Sequence, residues 1–190
     1  MGVKIQFELD DSDMARLREL FQTSREKAGN LDRERILTAT RKLIEKDLAG
    51  DPPQFVRQWL DGLNKLVDMV EDETWCLPGS SCDKIVDMLT YFVGRNEMTP
   101  DETPVLGMLD DAIAADLILS GLSNEIEAYE EFCQFRTAEA HRRANRGLPT
   151  DIKKEDWLAD RRATLHSRMH ERPSADRAGW NTSLFTWLQG

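Results

Sequence analysis

The chain has 190 residues, 40% of them hydrophobic and 32% charged, with a formal net charge of −10. A chain of that size buries a core within one domain without a disulfide staple, and it is too apolar to be read as disordered. The acidic balance argues against bulk binding to nucleic acid or to an anionic membrane, because both need positive surface.

The charge is unevenly spread. Residues 136–178 hold eleven Lys and Arg against seven Asp and Glu, whereas residues 179–190 carry no charged side chain. Three cysteines, Cys76, Cys82 and Cys133, lack C-x-x-C spacing. The N-terminal residues lack the basic-then-apolar order of a secretory leader, so a reducing, cytoplasmic setting is expected. No window reaches the roughly 18 consecutive apolar residues of a spanning helix.

In chain order, Val3, Ile5, Phe7 and Leu9 alternate with Lys4, Gln6 and Glu8, the period of a half-buried strand. Asp11, Ser12 and Asp13 supply N-cap candidates for a helix with Met14, Leu17, Leu20 and Phe21 on one face. A second helix carries Ile36, Leu37, Leu43, Ile44 and Leu48 and stops near Gly50, ahead of Pro52-Pro53. A third is expected from Gln54 to Trp75, with Phe55, Trp59, Leu63, Leu66 and Val70 as its apolar stripe.

Pro78-Gly79 marks a turn, and Ser80 with Asp83 opens a helix through Ile85, Leu89 and Phe92. The longest helical stretch runs from Val105 to Arg146, with Gly121-Leu122-Ser123 a place where it bends or splits. After Gly147-Leu148-Pro149, a charged helix follows through Trp157, Leu158, Leu165 and Met169, and Pro173 ends it. About six helices make an all-α bundle, with a short N-terminal strand. Residues 1–150 read as the helical core domain and 151–190 as a C-terminal helix with an uncharged, Trp-containing tail.

One stretch is specific. Tyr91-Phe92 closes an apolar helix, Pro100-Asp101 forms a loop, and Pro104-Val105-Leu106-Gly107 leads to Asp110-Asp111. Thr99 with Glu102 fits a capping box, Pro100 takes the first helical position, and Gly107 allows close helix approach. Over residues 85–135 this pattern resembles the YkvA-like family, a bacterial domain of unassigned function. The resemblance implies a helical hairpin and, from the habits of the family, membrane association. It lends no reaction. The polar residues Arg95, Asn96, Thr99, Glu102 and Thr103 depart from the more apolar family loop.

Candidate sites follow from residue chemistry. Glu97, Asp101, Asp110 and Asp111 form an acidic set suited to a hard divalent cation, if their oxygens converge within about 2.6 Å. The plain reading has the same carboxylates complementing a helix N-terminus and tying down loop N–H groups. Trp180, Leu184, Trp187 and Leu188 recur at i, i+4, i+7 and i+8. That stripe suits either docking on the chain's own core or helix-in-groove binding to a partner. Asp116 interrupts an apolar run and reads as that helix's one polar face. His166 and His170 share a helix face without the Glu of a zinc-protease motif, and read as solvated. The run Arg136, Arg142, Arg143 and Arg146 lacks interleaved aromatics for base stacking, and reads as helix-surface charge.

No nucleophile or cofactor motif emerges. The expected function is a non-enzymatic helical interaction protein: an adaptor, regulator or inhibitor meeting a protein partner or a second copy. The alternatives are a metal-dependent or metal-sensing protein built on the acidic loop, and a peripheral membrane-associated protein.

Overall fold

A computed structural model describes residues 10–28, 31–95, 109–148 and 156–171. Among them it shows seven helices and no strand: α1 (Asp11–Ala28), α2 (Arg33–Ala49), α3 (Gln54–Glu71), α4 (Gly79–Arg95), α5 (Leu109–Gly121), α6 (Ser123–Asn145) and α7 (Asp156–Glu171). The all-α bundle expected from the apolar periodicities is present. The alternating segment 3–9 lies outside the described residues.

Local chemistry sets the helix ends. Asp32 caps α2 by accepting the Arg35 N–H at 2.9 Å. The chain leaves α2 through Gly50 and Asp51, the latter at φ 50, a left-handed conformation that Asp tolerates. Pro52-Pro53 then forces a new start. At the end of α6, Gly147 at φ 65 places its N–H 3.0 Å from the Ala144 carbonyl, while Leu148 N–H reaches the Arg143 carbonyl at 3.0 Å. This Schellman pair satisfies carbonyls the helix leaves open, and glycine takes the positive φ without a Cβ penalty.

Two expectations about α3 are corrected. The helix ends at Glu71 rather than Trp75, because Asp72 turns extended and its Oδ1 accepts the N–H groups of Thr74 and Trp75 at 2.9 and 3.1 Å. That side chain substitutes for the next helical turn. Phe55, expected in the buried stripe, is 41% exposed. The buried positions are Val56, Trp59, Leu60, Leu63, Leu66, Val67 and Met69, so Trp59, Leu63 and Leu66 stand as expected, while Val56, about 100° round the helix, takes the place of Phe55.

The long helix expected from Val105 to Arg146 is divided at Leu122. Its N–H still reaches the Ile118 carbonyl at 3.0 Å, and its own carbonyl takes the Ile126 N–H at 2.9 Å. The ladder therefore bends between α5 and α6 with little loss.

Packing makes two linked layers. α4 lies against α1 and α2, while α2 also meets α3. Phe21 meets Tyr91 with ring centroids 4.5 Å apart, and Trp59 stacks on Phe92 at 5.9 Å. On its other side α3 meets α5, and α7 packs on α6. Lys84 of α4 reaches Glu125 of α6 at 3.1 Å, tying the layers at a site where both side chains are mostly buried.

α5 approaches α3 closely at Gly62. A Cβ there would collide with Leu119 Cδ1 and sit 2.9 Å from Cδ2. The opposing atoms are the tip of a flexible side chain, so Gly62→Ala should be nearly neutral: Leu119 swings aside while the helix gains up to about 1 kcal/mol of propensity. Gly62→Val should destabilise by about 1–3 kcal/mol through overpacking. Adding Leu119→Ala to Gly62→Val should recover part of that loss in urea denaturation. A strictly additive double variant would contradict the contact.

Candidate functional site

An open groove of about 400 Å³ lies between α3 and α6, lined by Asp61, Asn64, Lys65, Asp68, Tyr129, Glu130 and Cys133. Asp61, Asn64, Lys65 and Asp68 fall at i, i+3, i+4 and i+7. The helical period therefore gathers them on the polar face opposite the α3 stripe. α6 supplies the opposite wall.

Charge in the groove is mostly committed. Arg41 of α2 donates to Asn64 Oδ1 at 2.9 Å, Asp68 Oδ1 at 2.8 Å and Glu71 Oε2 at 2.6 Å. The hydrogen bonds to Glu71 and then Asp68 raise the Arg41 pKa. Lys65 pairs with Glu130 across the groove. Asp61 stands exposed, with no ion-pair partner among the described residues. With Asp68 paired to Arg41 and Glu130 to Lys65, Asp61 is the lining carboxylate left over, which favours a cationic group as occupant.

The groove rests on a polar knot at the end of α3. Asp72 Oδ2 accepts the Tyr129 hydroxyl at 3.1 Å and Arg136 Nη1 at 2.7 Å, while Oδ1 takes the Thr74 hydroxyl at 2.6 Å. Arg136 also donates to the Thr74 hydroxyl, and Arg162 of α7 donates to the Thr74 carbonyl at 2.9 Å. Burial works to raise the Asp72 pKa, but hydrogen bonds from Thr74, Arg136 and the Trp75 N–H outweigh it and hold the carboxyl below its usual range.

Burial acts first on both Tyr129 and Cys133 and raises each pKa. The phenol and the thiol are therefore protonated near neutral pH, where a thiol is a weak nucleophile. Chemically, the arrangement is suited to binding a cationic group.

The residues singled out from sequence are placed as follows. Glu97 and Asp101 lie outside the described residues, as do Trp180, Leu184, Trp187 and Leu188. Asp110 and Asp111 fall in the first turn of α5, and the half-buried Asp111 makes an electrostatic or hydrogen-bonded contact there. Among the described residues no group of three or more His, Cys, Asp or Glu is gathered to coordinate a metal. Asp116 is exposed, on the polar face expected for it.

Two expectations are overturned. His166 is not solvated with His170: its ring stands edge-on to Trp75 at 4.4 Å, while His170 is exposed. Arg136 is no surface charge, since it closes the Asp72 knot. Cys82, at the start of α4, is buried and takes a 3.3 Å contact from Arg33 Nη1.

Asp72, Tyr129 and Arg136 support the site; sequence reading passes over Asp72 and Tyr129 and takes Arg136 for surface charge, because the three meet across 57 to 64 residues. Half of the signal is local, since Asp72-Glu73-Thr74 after an amphipathic helix has the composition of an Asx turn.

No protein-family model matches the chain, and neither the curated proteins nor the solved structures contain a match. No helix among the described residues is long and apolar enough to cross a membrane.

Proposed function

We propose that the chain is a non-enzymatic helical interaction protein, and that the α3–α6 groove receives a basic side chain of a protein partner. The observation that carries this is the uncommitted Asp61 carboxylate at the rim of a groove whose other charges are already paired. The groove's thiol and phenol are held in their neutral forms, which suits recognition better than covalent chemistry.

The uncharged stripe Trp180, Leu184, Trp187 and Leu188 is proposed as a second contact with the same partner, because aromatic anchors carry much of the energy at interfaces. Membership of the YkvA-like family is proposed on the 85–135 motif alone. A cytoplasmic setting is proposed on three free thiols, one of them exposed.

Affinity capture from the source cell tests this, using the intact chain, Asp61→Lys, and a chain ended at Pro173. The expected partner is lost at high salt and binds Asp61→Lys at least about tenfold more weakly, through both lost attraction and new repulsion. Capture unchanged by Asp61→Lys would remove the groove from the interface. Loss only in the chain ended at Pro173 would assign the interface to the tail.

A further inference from the structure

The described structure leaves four buried side-chain polar atoms without a hydrogen-bond partner among the described residues, and three of them lie in one place. Trp75 Nε1, Arg161 Nε and His166 Nε2 all sit where α7 meets α6 and the α3–α4 turn. An unpaired buried polar atom weighs against the docked state, because water would satisfy it once the surface opened.

The attractions across this seam are of a replaceable kind. Glu131 of α6 takes both Arg161 and Arg168, but each of these side chains is about one third exposed, so solvent screens the pairs. Among the described side chains of α7, Leu158, Leu165 and Met169 are the buried apolar ones. By contrast, α3 buries seven residues in the centre of the bundle.

His166 is the group through which this balance can be moved. Its ring stands against Trp75, and its buried Nε2 has no hydrogen-bond partner among the described residues. A proton arriving at Nε2 would find no acceptor. It would face Arg162 and His170 on its own helix, both of which raise the cost of an imidazolium. On α6 stand Arg136 and Glu131, and in the turn stands Asp72; Arg136 is committed to Asp72, and Glu131 to Arg161 and Arg168. Among the described residues no buried carboxylate oxygen is left without a partner to compensate, and Glu73 in the same turn is exposed.

We propose that α7 is a reversible clasp, which opens as a unit when His166 takes up a proton and thereby uncovers Trp75 while α1–α6 stay folded.

Burial first, then Arg162 and His170, push the docked imidazole down to about 4, against an ordinary value of 6.5. The undocked helix therefore binds the proton first as pH falls. Docking is at full strength above about pH 6.5 and weakens progressively from there toward about pH 4.

Native-state hydrogen exchange on the intact chain, read peptide by peptide by mass spectrometry, tests the clasp. Amides of 156–171 are expected to be less protected than those of α3 at neutral pH. Their protection factors should fall about tenfold further than those of α3 between about pH 7 and about pH 5. His166→Phe should abolish that extra fall and raise α7 protection. His166→Gln, which stays neutral throughout, should abolish it too and serves if the Phe variant fails to fold. Exchange of α7 in step with α3 at both pH values would overturn the proposal, as would an extra fall that survives in both variants.

Discussion

Trp75→Ala is expected to lower unfolding stability by about 3–5 kcal/mol, the range for removing a large aromatic side chain from a core. Trp75 lies in the turn between α3 and α4, where no helix propensity is at stake, yet it is fully buried. Its ring meets Tyr129 at 5.7 Å, Phe132 at 5.0 Å and His166 at 4.4 Å, so one side chain joins the turn to both α6 and α7. Removing it leaves a cavity that three different elements would have to collapse into. Trp75→Phe should cost clearly less, because it keeps most of the ring contacts and removes the unpartnered Nε1. Urea denaturation with the slope held constant measures both. A loss below about 1 kcal/mol in Trp75→Ala would mean that the turn is not part of the core.

Asp72→Ala should be of similar size, about 3–5 kcal/mol, for a different reason. The Asp72 side chain is 12% exposed and its partner Arg136 27% exposed. Truncating the acid strands the guanidinium, the Tyr129 hydroxyl and two backbone N–H groups together. Asp72→Asn keeps an oxygen for the backbone groups and should cost about half as much, since it loses chiefly the charged component of the Arg136 contact. The pH dependence separates this knot from the histidine. Because the Asp72 pKa is lowered by folding, its contribution is complete above the ordinary carboxylate value of 3.8 and is lost as pH falls through the still lower folded value. The His166 contribution fades earlier, between about pH 6.5 and about pH 4. Acid unfolding of the wild-type chain should therefore show an early loss confined to α7, followed by a global one.

What the sequence disclosed and what it concealed divide along sequence separation. The bundle was legible because each helix carries its own apolar period: Ile36, Leu37 and Ile44 in α2, or Val56, Leu60 and Leu63 in α3. The break at Leu122 was legible because Gly121 and Ser123 flank it. The helix-ending side chain of Asp72 was concealed, since an amphipathic period through Met69 and Val70 continues naturally to Trp75. His166 was concealed more thoroughly. Its neighbours Arg162 and His170 suggest a wet charged face, and only the fold reveals that Trp75, ninety-one residues earlier, lies against it. The groove was invisible for the same reason, because four of its lining residues come from α3 and three from α6.

The tie between Asp72 and α6 holds the groove, the turn and the seat of α7 in one arrangement. A double-mutant cycle on Asp72→Asn and Arg136→Met, read by urea denaturation, tests that tie most directly. A coupling of about 1.5–3 kcal/mol is expected, because each single variant leaves the other member of the pair without its charge partner and the double variant leaves neither stranded. Strict additivity of the two losses would return Arg136 to the status of a surface charge and leave the groove without its support.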